Sequence, residues 1–218
     1  MSNTLLLTGF DPFGGEAINP SWEAVRALDG ATLGRYRVQA AQLPTSFARA
    51  GVTLREAMAG CNPAAVICVG QAGGRPDITL ERVAINLADA RIADNDGDQP
   101  TDDEVVAGGP AAYWTTLPVK ALRRAVLEAG IPCSVSYTAG TFVCNAIFYT
   151  LMHELAGRQD AEHIPAGFIH IPFLPQQAAA YPGKPSMSLD AIVEGLRTVI
   201  LHADAEEERG SSAGTLHG

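Results

Sequence analysis

Short apolar runs recur along the chain at residues 5–7, 64–70 and 167–171, the last broken only by His170, and glycine or proline closes each. Runs of that length with so little polar interruption predict strands covered on both faces of a sheet. Residues 36–43 and 133–137 predict two more strands, and residues 78–87 alternate as one longer strand. On it Glu81 shares a face with Thr79, Val83, Ile85 and Leu87. Between the strands the period lengthens to that of helices. Asn19-Pro20 predicts an N-cap and first helical position, with a helix to Gly30; Thr45 or Ser46 predicts the cap of a second helix, to about Met58. Residues 117–129 read as an amphipathic helix stopped at Gly130, and Ser188 as the cap of the last one, residues 189–202.

Strands alternating with helices predict a single α/β domain, a three-layer α/β/α sandwich with a mostly parallel twisted sheet, over residues 1–203. Residues 204–218 are acidic and then Gly/Ser-rich without an apolar period, which predicts a disordered tail. In such sheets ligands sit outside the carboxyl ends of the strands. That rule gathers the 10–15 loop, the Gln71 loop, the Cys144 turn and His170 at one edge.

Cys144 stands where a strand gives way through a glycine turn to a helical pattern ending at Leu155. Unpaired N–H groups and the positive end of a helix dipole there favour thiolate. A buried cysteine filling the core is the plainer alternative. His170 is the one histidine inside a predicted buried strand; His153 falls on a helix, His163 in a loop, His202 at a helix end and His217 in the tail. Glu81 on an apolar face requires a compensating partner, either an arginine such as Arg91 or an imidazolium. Together the three supply a nucleophile, a base and an orienting acid.

Composition narrows the picture. With 47% hydrophobic and 6% aromatic residues the core is largely aliphatic, and a net charge of −9 disfavours a protein that tracks nucleic-acid backbones. The amino terminus carries no signal-peptide or membrane-span pattern. Four cysteines without a C-x-x-C pair predict free thiols in a reducing cytoplasm. The 9–15 loop lacks the Lys and Ser/Thr of a phosphate loop, and residues 70–74 miss the dinucleotide spacing. Residues 94–98 place their glycine too early for a calcium loop, and the histidines lack metal-ligand spacing, so neither metal nor cofactor is expected.

Several longer stretches bear a family likeness: Thr8-Gly-Phe-Asp-Pro-Phe-Gly-Gly, Asn19-Pro-Ser, Gly70-Gln-Ala-Gly-Gly-Arg, Glu81-Arg-Val-Ala-Ile-Asn, Asp89-Ala-Arg-Ile-Ala-Asp-Asn, Ala139-Gly-Thr-Phe-Val-Cys-Asn and Phe168-Ile-His-Ile-Pro-Phe-Leu-Pro. The sequence resembles the pyroglutamyl peptidase I family of cysteine exopeptidases. The likeness spans nearly the whole chain apart from the tail. It implies a Glu81, Cys144, His170 triad and removal of an N-terminal pyroglutamyl residue from small peptides through a thioester. By the same likeness Phe10, Phe13, Thr45, Phe142 and Val143 form the wall of a lactam pocket, Asn19 and Gln71 its polar contacts, and Arg91 an arginine near the site. It further implies a cytoplasmic homo-oligomer, dimer or tetramer, without nucleic-acid or membrane partners. A nucleoside phosphorylase or hydrolase and a non-catalytic ligand-binding module are the competing readings, since one α/β layout hosts many functions.

Overall fold

The computed structural model describes residues 3–158, 164–208, 210 and 212–214. In chain order the elements are β1 (Thr4–Phe10), α1 (Pro20–Ala27), β2 (Thr32–Leu33), β3 (Tyr36–Leu43), α2 (Ala50–Cys61), β4 (Ala65–Gln71), β5 (Ile78–Glu81), β6 (Val83–Ile85), β7 (Ala112–Trp114), α3 (Val119–Glu128), β8 (Cys133–Ser136), α4 (Val143–Ala156), β9 (Ala166–Ile171), α5 (Pro175–Ala178) and α6 (Leu189–Leu201). The main sheet has the order β2-β3-β1-β4-β9-β5-β8. The central strands β3, β1, β4 and β9 are parallel, whereas β2 is antiparallel to β3 and β5 antiparallel to β9. Because β8 is parallel to β5, these two, like β2, run against the four central strands.

The apolar runs become strands for the reason their composition suggests. Residues of β1, β4 and β9 are buried on both faces. One face carries α1, α3 and α6, with Leu5, Leu7, Val25, Leu122, Leu196 and Val199 in its core. The other carries α2 and α4, with Leu6, Leu54, Cys68, Ile147, Phe148 and Phe168. Helix α1 starts as predicted, its Asn19 side chain accepting from Ser21 N with Pro20 at the first position. Ser188 likewise caps α6 through Ala191 N.

Three expectations change. Residues 78–87 do not form one strand: after Glu81 the Arg82 N–H bonds Ser136 O while Arg82 O accepts from Thr115 N. That hand-over peels the chain away into a separate two-stranded sheet of β6 and β7. Regular helix α2 begins at Ala50, one turn later than expected, but the expected cap is present on the turn before it: Ser46 Oγ accepts from Arg49 N and Ser46 O from Ala50 N, while the Ser46 hydroxyl donates to Asp96 Oδ2 at 2.6 Å. The reversed direction of β8 also means that the Cys144 turn does not leave the sheet at the carboxyl edge shared by β1, β4 and β9. The 137–142 loop brings the chain back, and α4 lies across the sheet face.

Among the described tail residues, Glu207 accepts from Lys120 N at the start of α3 and faces Arg82 at 3.3 Å, and Glu208 pairs with Arg124. Arg35 and Tyr36 both reach Asp204. Of the predicted disordered tail, residues 209, 211 and 215–218, with His217 among them, lie outside the described residues, as does His163. No helix among the described residues is long and apolar enough to cross a membrane.

Candidate active site

Strand register brings Glu81 and His170 together. Thr79 stands opposite His170 in the antiparallel β5–β9 pair, so Glu81, two residues on, is its diagonal neighbour on the same face, within reach of long side chains. His170 Nδ1 lies 2.7 Å from Glu81 Oε1, and both residues are buried, with 4% and 0% exposure. A carboxylate only accepts, so Nδ1 carries the proton and Nε2 is left for other chemistry. Burial pushes Glu81 upward, but the His170 hydrogen bond and charge, the Ser136 hydroxyl and the Arg75 guanidinium overcome it and hold the carboxyl below its ordinary value.

The arginine is Arg75, not Arg91. Arg75 Nη1 donates to Glu81 Oε1 at 2.6 Å and to Thr79 Oγ1 at 2.7 Å, and its Nη2 donates to Thr138 O at 3.0 Å. It thereby ties Glu81 to the loop that leads into the Cys144 turn. Arg91 is exposed and pairs with neither Glu81 nor the pocket lining. The sequence signal for Arg75 was present at the end of Gly70-Gln-Ala-Gly-Gly-Arg, where its side chain folds back over β5.

Cys144 lies in the first turn of α4, whose N-cap, Phe142, offers no side-chain cap. The first N–H groups of that helix are therefore available to a developing anion. A Cβ built on Gly70 would come within 2.8 Å of Cys144 Sγ and 2.7 Å of Phe168 Cζ. Gly70 is the register partner of His170 in the parallel β4–β9 pair, and partners in such a pair project from the same face. The thiol therefore lies on the imidazole's side of the sheet, one strand away. Only a residue without a side chain leaves room for it at Gly70.

The helix start is opposed by the thiol's surroundings. Burial, followed by the negative charge of Glu81, pushes Cys144 up to about 12, and Arg75 and the helix start recover only part of this. Cys68 and Cys133 are also raised to about 12, chiefly by burial. All four cysteines are free; Cys61 and Cys144 are half-buried, and Cys144 lines a pocket.

That pocket is lined by Phe10, Phe13, Asn19, Thr45, Gln71, Phe142, Val143 and Cys144. The predicted wall and polar contacts thus come together around the thiol, with Arg91 left out. Its free interior is about 10 Å³, room for about one water. In its lining the Phe13 and Phe142 rings stand 6.1 Å apart and tilted. The loop bearing Phe13 hangs on Asp11: its carbonyl accepts from Asn19 Nδ2 and Thr45 Oγ1, and its carboxylate from Thr45 N and Asn95 Nδ2. With its Oδ1 receiving Ser21 N and Ser21 Oγ, Asn19 is committed to shaping the loop. Gln71 differs: its Oε1 is occupied by Gln177 Nε2 at 3.0 Å, and its own Nε2 has no partner among the described residues.

A larger groove of about 810 Å³ runs between α2, α4 and residues 98–107, but none of Cys144, His170 and Glu81 lines it. The acidic 94–98 turn is closed on itself, Asp94 accepting from Phe47 N, Asp96 N and Asp98 N.

A pyroglutamyl peptidase family model matches residues 3–206. The chain is 58% identical over 197 residues to a pyrrolidone-carboxylate peptidase of Bacillus cereus, covering 90% of this chain and 91% of that one. A second relative of that name, from Bacillus anthracis, is 55% identical over 215 residues and covers 98% and 99%. The crystal structure of Bacillus amyloliquefaciens pyroglutamyl peptidase I superposes with a TM-score of 0.90 at 52% identity, over 95% of this chain and 99% of that one. The chain belongs to the pyroglutamyl peptidase family. Members of the pyroglutamyl peptidase family are cysteine peptidases that remove N-terminal pyroglutamyl residues.

Within this pyroglutamyl peptidase framework, Asn145 is a residue whose part the sequence did not disclose. Fully buried beside the thiol, it accepts from Ile85 N and donates to Ile85 O and Leu87 O at 2.9 to 3.1 Å, mimicking a strand partner for β6. A polar residue inside the otherwise apolar start of α4 was the available signal.

Proposed function

We propose that the chain is a cysteine exopeptidase that removes N-terminal pyroglutamate from peptides, with Cys144 as nucleophile, His170 as acid and base, and Glu81 as the group that orients the imidazole. The observation that carries this reading is the 2.7 Å His170–Glu81 contact on the sheet face where the Cys144 thiol sits against Gly70.

Burial and the Glu81 charge favour the protonated thiol, so the base acts during attack. His170 Nε2 takes the Sγ proton as sulfur bonds to the carbonyl carbon joining pyroglutamate to the next residue. The tetrahedral oxyanion is met by N–H groups at the start of α4, donors typically worth ~10²-fold or more in rate. The carbon–nitrogen bond then breaks, the departing amine takes the proton from His170, and a thioester remains. Water attacks it, again giving its proton to His170; the thiolate leaves, is reprotonated, and pyroglutamate is released. Glu81 stabilises the imidazolium at both stages. Phe10, Phe13, Phe142, Val143 and Thr45 enclose the lactam, which carries no charge, and the free Gln71 amide donates to its carbonyl.

The enzyme is further read as a cytoplasmic homo-oligomer, a reading that a mass measurement in solution and cell fractionation test. The central test is hydrolysis of a pyroglutamyl-coumarin amide against its prolyl analogue. Wild type is expected to cleave the first alone, and Cys144→Ser to lose about 10³-fold or more in kcat. Full activity in the serine variant would remove Cys144 from the mechanism.

A further inference from the structure

The Gln71 amide has two ends of opposite character, and which end meets the substrate decides what the pocket recognises. The side chain can present either its oxygen or its NH2 group to the ring, and a half-turn about the last bond exchanges them. A hydrogen-bond chain fixes the choice. It starts at a donor that cannot be reversed: Leu174 N–H, the N-cap of α5, donates to Gln177 Oε1 at 3.1 Å. Gln177 is the third residue of that short helix and reaches back to its start, one half of a capping box. With its oxygen used, Gln177 can offer only Nε2 onward. That nitrogen donates to Gln71 Oε1 at 3.0 Å and, more weakly, to Glu16 Oε2 at 3.4 Å. Glu16 is in turn held by Tyr181 Oη at 2.7 Å.

We infer that Gln177 is a positioning residue for lactam selectivity: it locks the Gln71 amide so that its NH2 group is the end offered to the pocket. The inference rests on the proposed peptidase reading and deepens it. A pyroglutamyl ring presents a carbonyl where a prolyl ring has a methylene, so a fixed donor at that point satisfies one and is left unpaired by the other. Sites built this way reject the analogue lacking the partner far more strongly than apolar pockets do. Gln177 is 4% exposed, so solvent does not compete for its bonds. It lies seven residues after His170 on the same segment, so one stretch of chain supplies both the base and the selector's lock.

Gln177→Glu tests this with nearly unchanged shape. It is made together with Glu16→Gln, so that no second carboxylate faces it across the 3.4 Å contact and shares a proton with it; the new carboxylate still accepts from Leu174 N, preserving the cap, but has no proton to give Gln71. The Gln71 amide then turns its NH2 toward residue 177 and its oxygen toward the lactam carbonyl. On the pyroglutamyl-coumarin substrate, KM is expected to rise ~10-fold or more with kcat within about twofold, since the chemistry is untouched. In a Gln71→Leu background the same pair of changes is expected to do nothing further to KM. An unchanged KM with Gln71 in place, or an equal additional rise in the Gln71→Leu background, would overturn the inference. Should the paired variant not fold, side-chain amide NMR of wild type decides: cross-relaxation from the Gln71 NH2 protons to the Phe10 or Phe13 ring supports it, and contacts to Gln177 alone overturn it. Wild type inert on the substrate would instead sink the peptidase reading, so the two failures are distinct.

Discussion

On one side of the main sheet, α1, α3 and α6 cover a core of leucine, isoleucine and valine that contains no aromatic ring larger in role than Tyr36, whose hydroxyl escapes to Asp204. On the other side, α2 and α4 cover Phe10, Phe148, Tyr149 and Phe168, and among these rings lie Cys68, Cys144 and the His170 imidazole, 4.9 Å from Phe168. The strands are shared, and alternate residues of β4 and β9 serve each face. The difference lies in what the helices bring. Helix α6 presents an apolar stripe and turns its charges to water, so it can only be packing. Helix α4 is buried around most of its circumference, which leaves its first turn, not a polar face, as the place where chemistry meets solvent. One face holds the sheet together, and the other holds a reactive group still.

The sharpest way to separate the faces is Glu81→Gln. The amide can no longer stabilise an imidazolium or insist on a proton at Nδ1, so kcat is expected to fall on the order of 10³-fold. Removing the negative charge that raises Cys144 has the opposite effect on bare thiol chemistry: alkylation by iodoacetamide at pH 8 is expected to speed up. Activity and labelling moving in the same direction would contradict the electrostatics described for the site. The same variant has a stability signature. Glu81 is held below its ordinary 4.5, so its contribution is complete above that value and is lost as pH falls through the lower folded one. Acid unfolding curves of Glu81→Gln are therefore expected to be flatter in that limb.

Gly70→Ala probes the crowding on the active face. Its methyl group would fall 2.8 Å from Cys144 Sγ and 2.7 Å from the Phe168 ring, too close for either to stay. A displaced nucleophile is expected to lower kcat/KM by about 10²-fold, with a stability loss of about 1–3 kcal/mol from overpacking. Wild-type kinetics in this variant would mean that the thiol's position is not tied to β4.

Much of this was legible before any coordinates, and the residues show why. Strands β1, β4 and β9 announce themselves because burial on both faces forces nearly unbroken apolar runs. The caps Asn19 and Ser188 act on their own next turn, so local sequence suffices. What stayed hidden depends on residues far apart. The break after Glu81 is made by Ser136 and Thr115, and the Ser46 cap is tied to Asp96, fifty residues away. Strand β7 is three residues with two exposed side chains, too short for a period to show. Glu81 drew attention as a buried carboxylate, but Arg75 rather than Arg91 could be chosen only once the loop after β4 was seen folding over β5. The thiol shows the same limit: a helix end is readable from sequence, whereas the burial and the nearby carboxylate that oppose it are not.

The smallest effect on catalysis is expected on the packing face, and that is where the comparison is most exposed to refutation. Leu196 of α6 is 1% exposed within the aliphatic core. Leu196→Ala removes three carbons from a site whose neighbours belong to several elements, so collapse is incomplete and unfolding free energy is expected to drop by about 2–5 kcal/mol. Yet Leu196 packs on the sheet face opposite the Cys144, His170 and Glu81 side chains, and strands buried on both faces transmit little of a side-chain deletion to their far side when the backbone register is held by hydrogen bonds on each flank. Below its unfolding transition the variant is expected to keep kcat and KM within about twofold of wild type, measured per folded molecule. If kcat falls tenfold while circular dichroism shows the protein folded, the sheet is passing strain from one face to the other, and the division between a packing face and a reacting face does not hold.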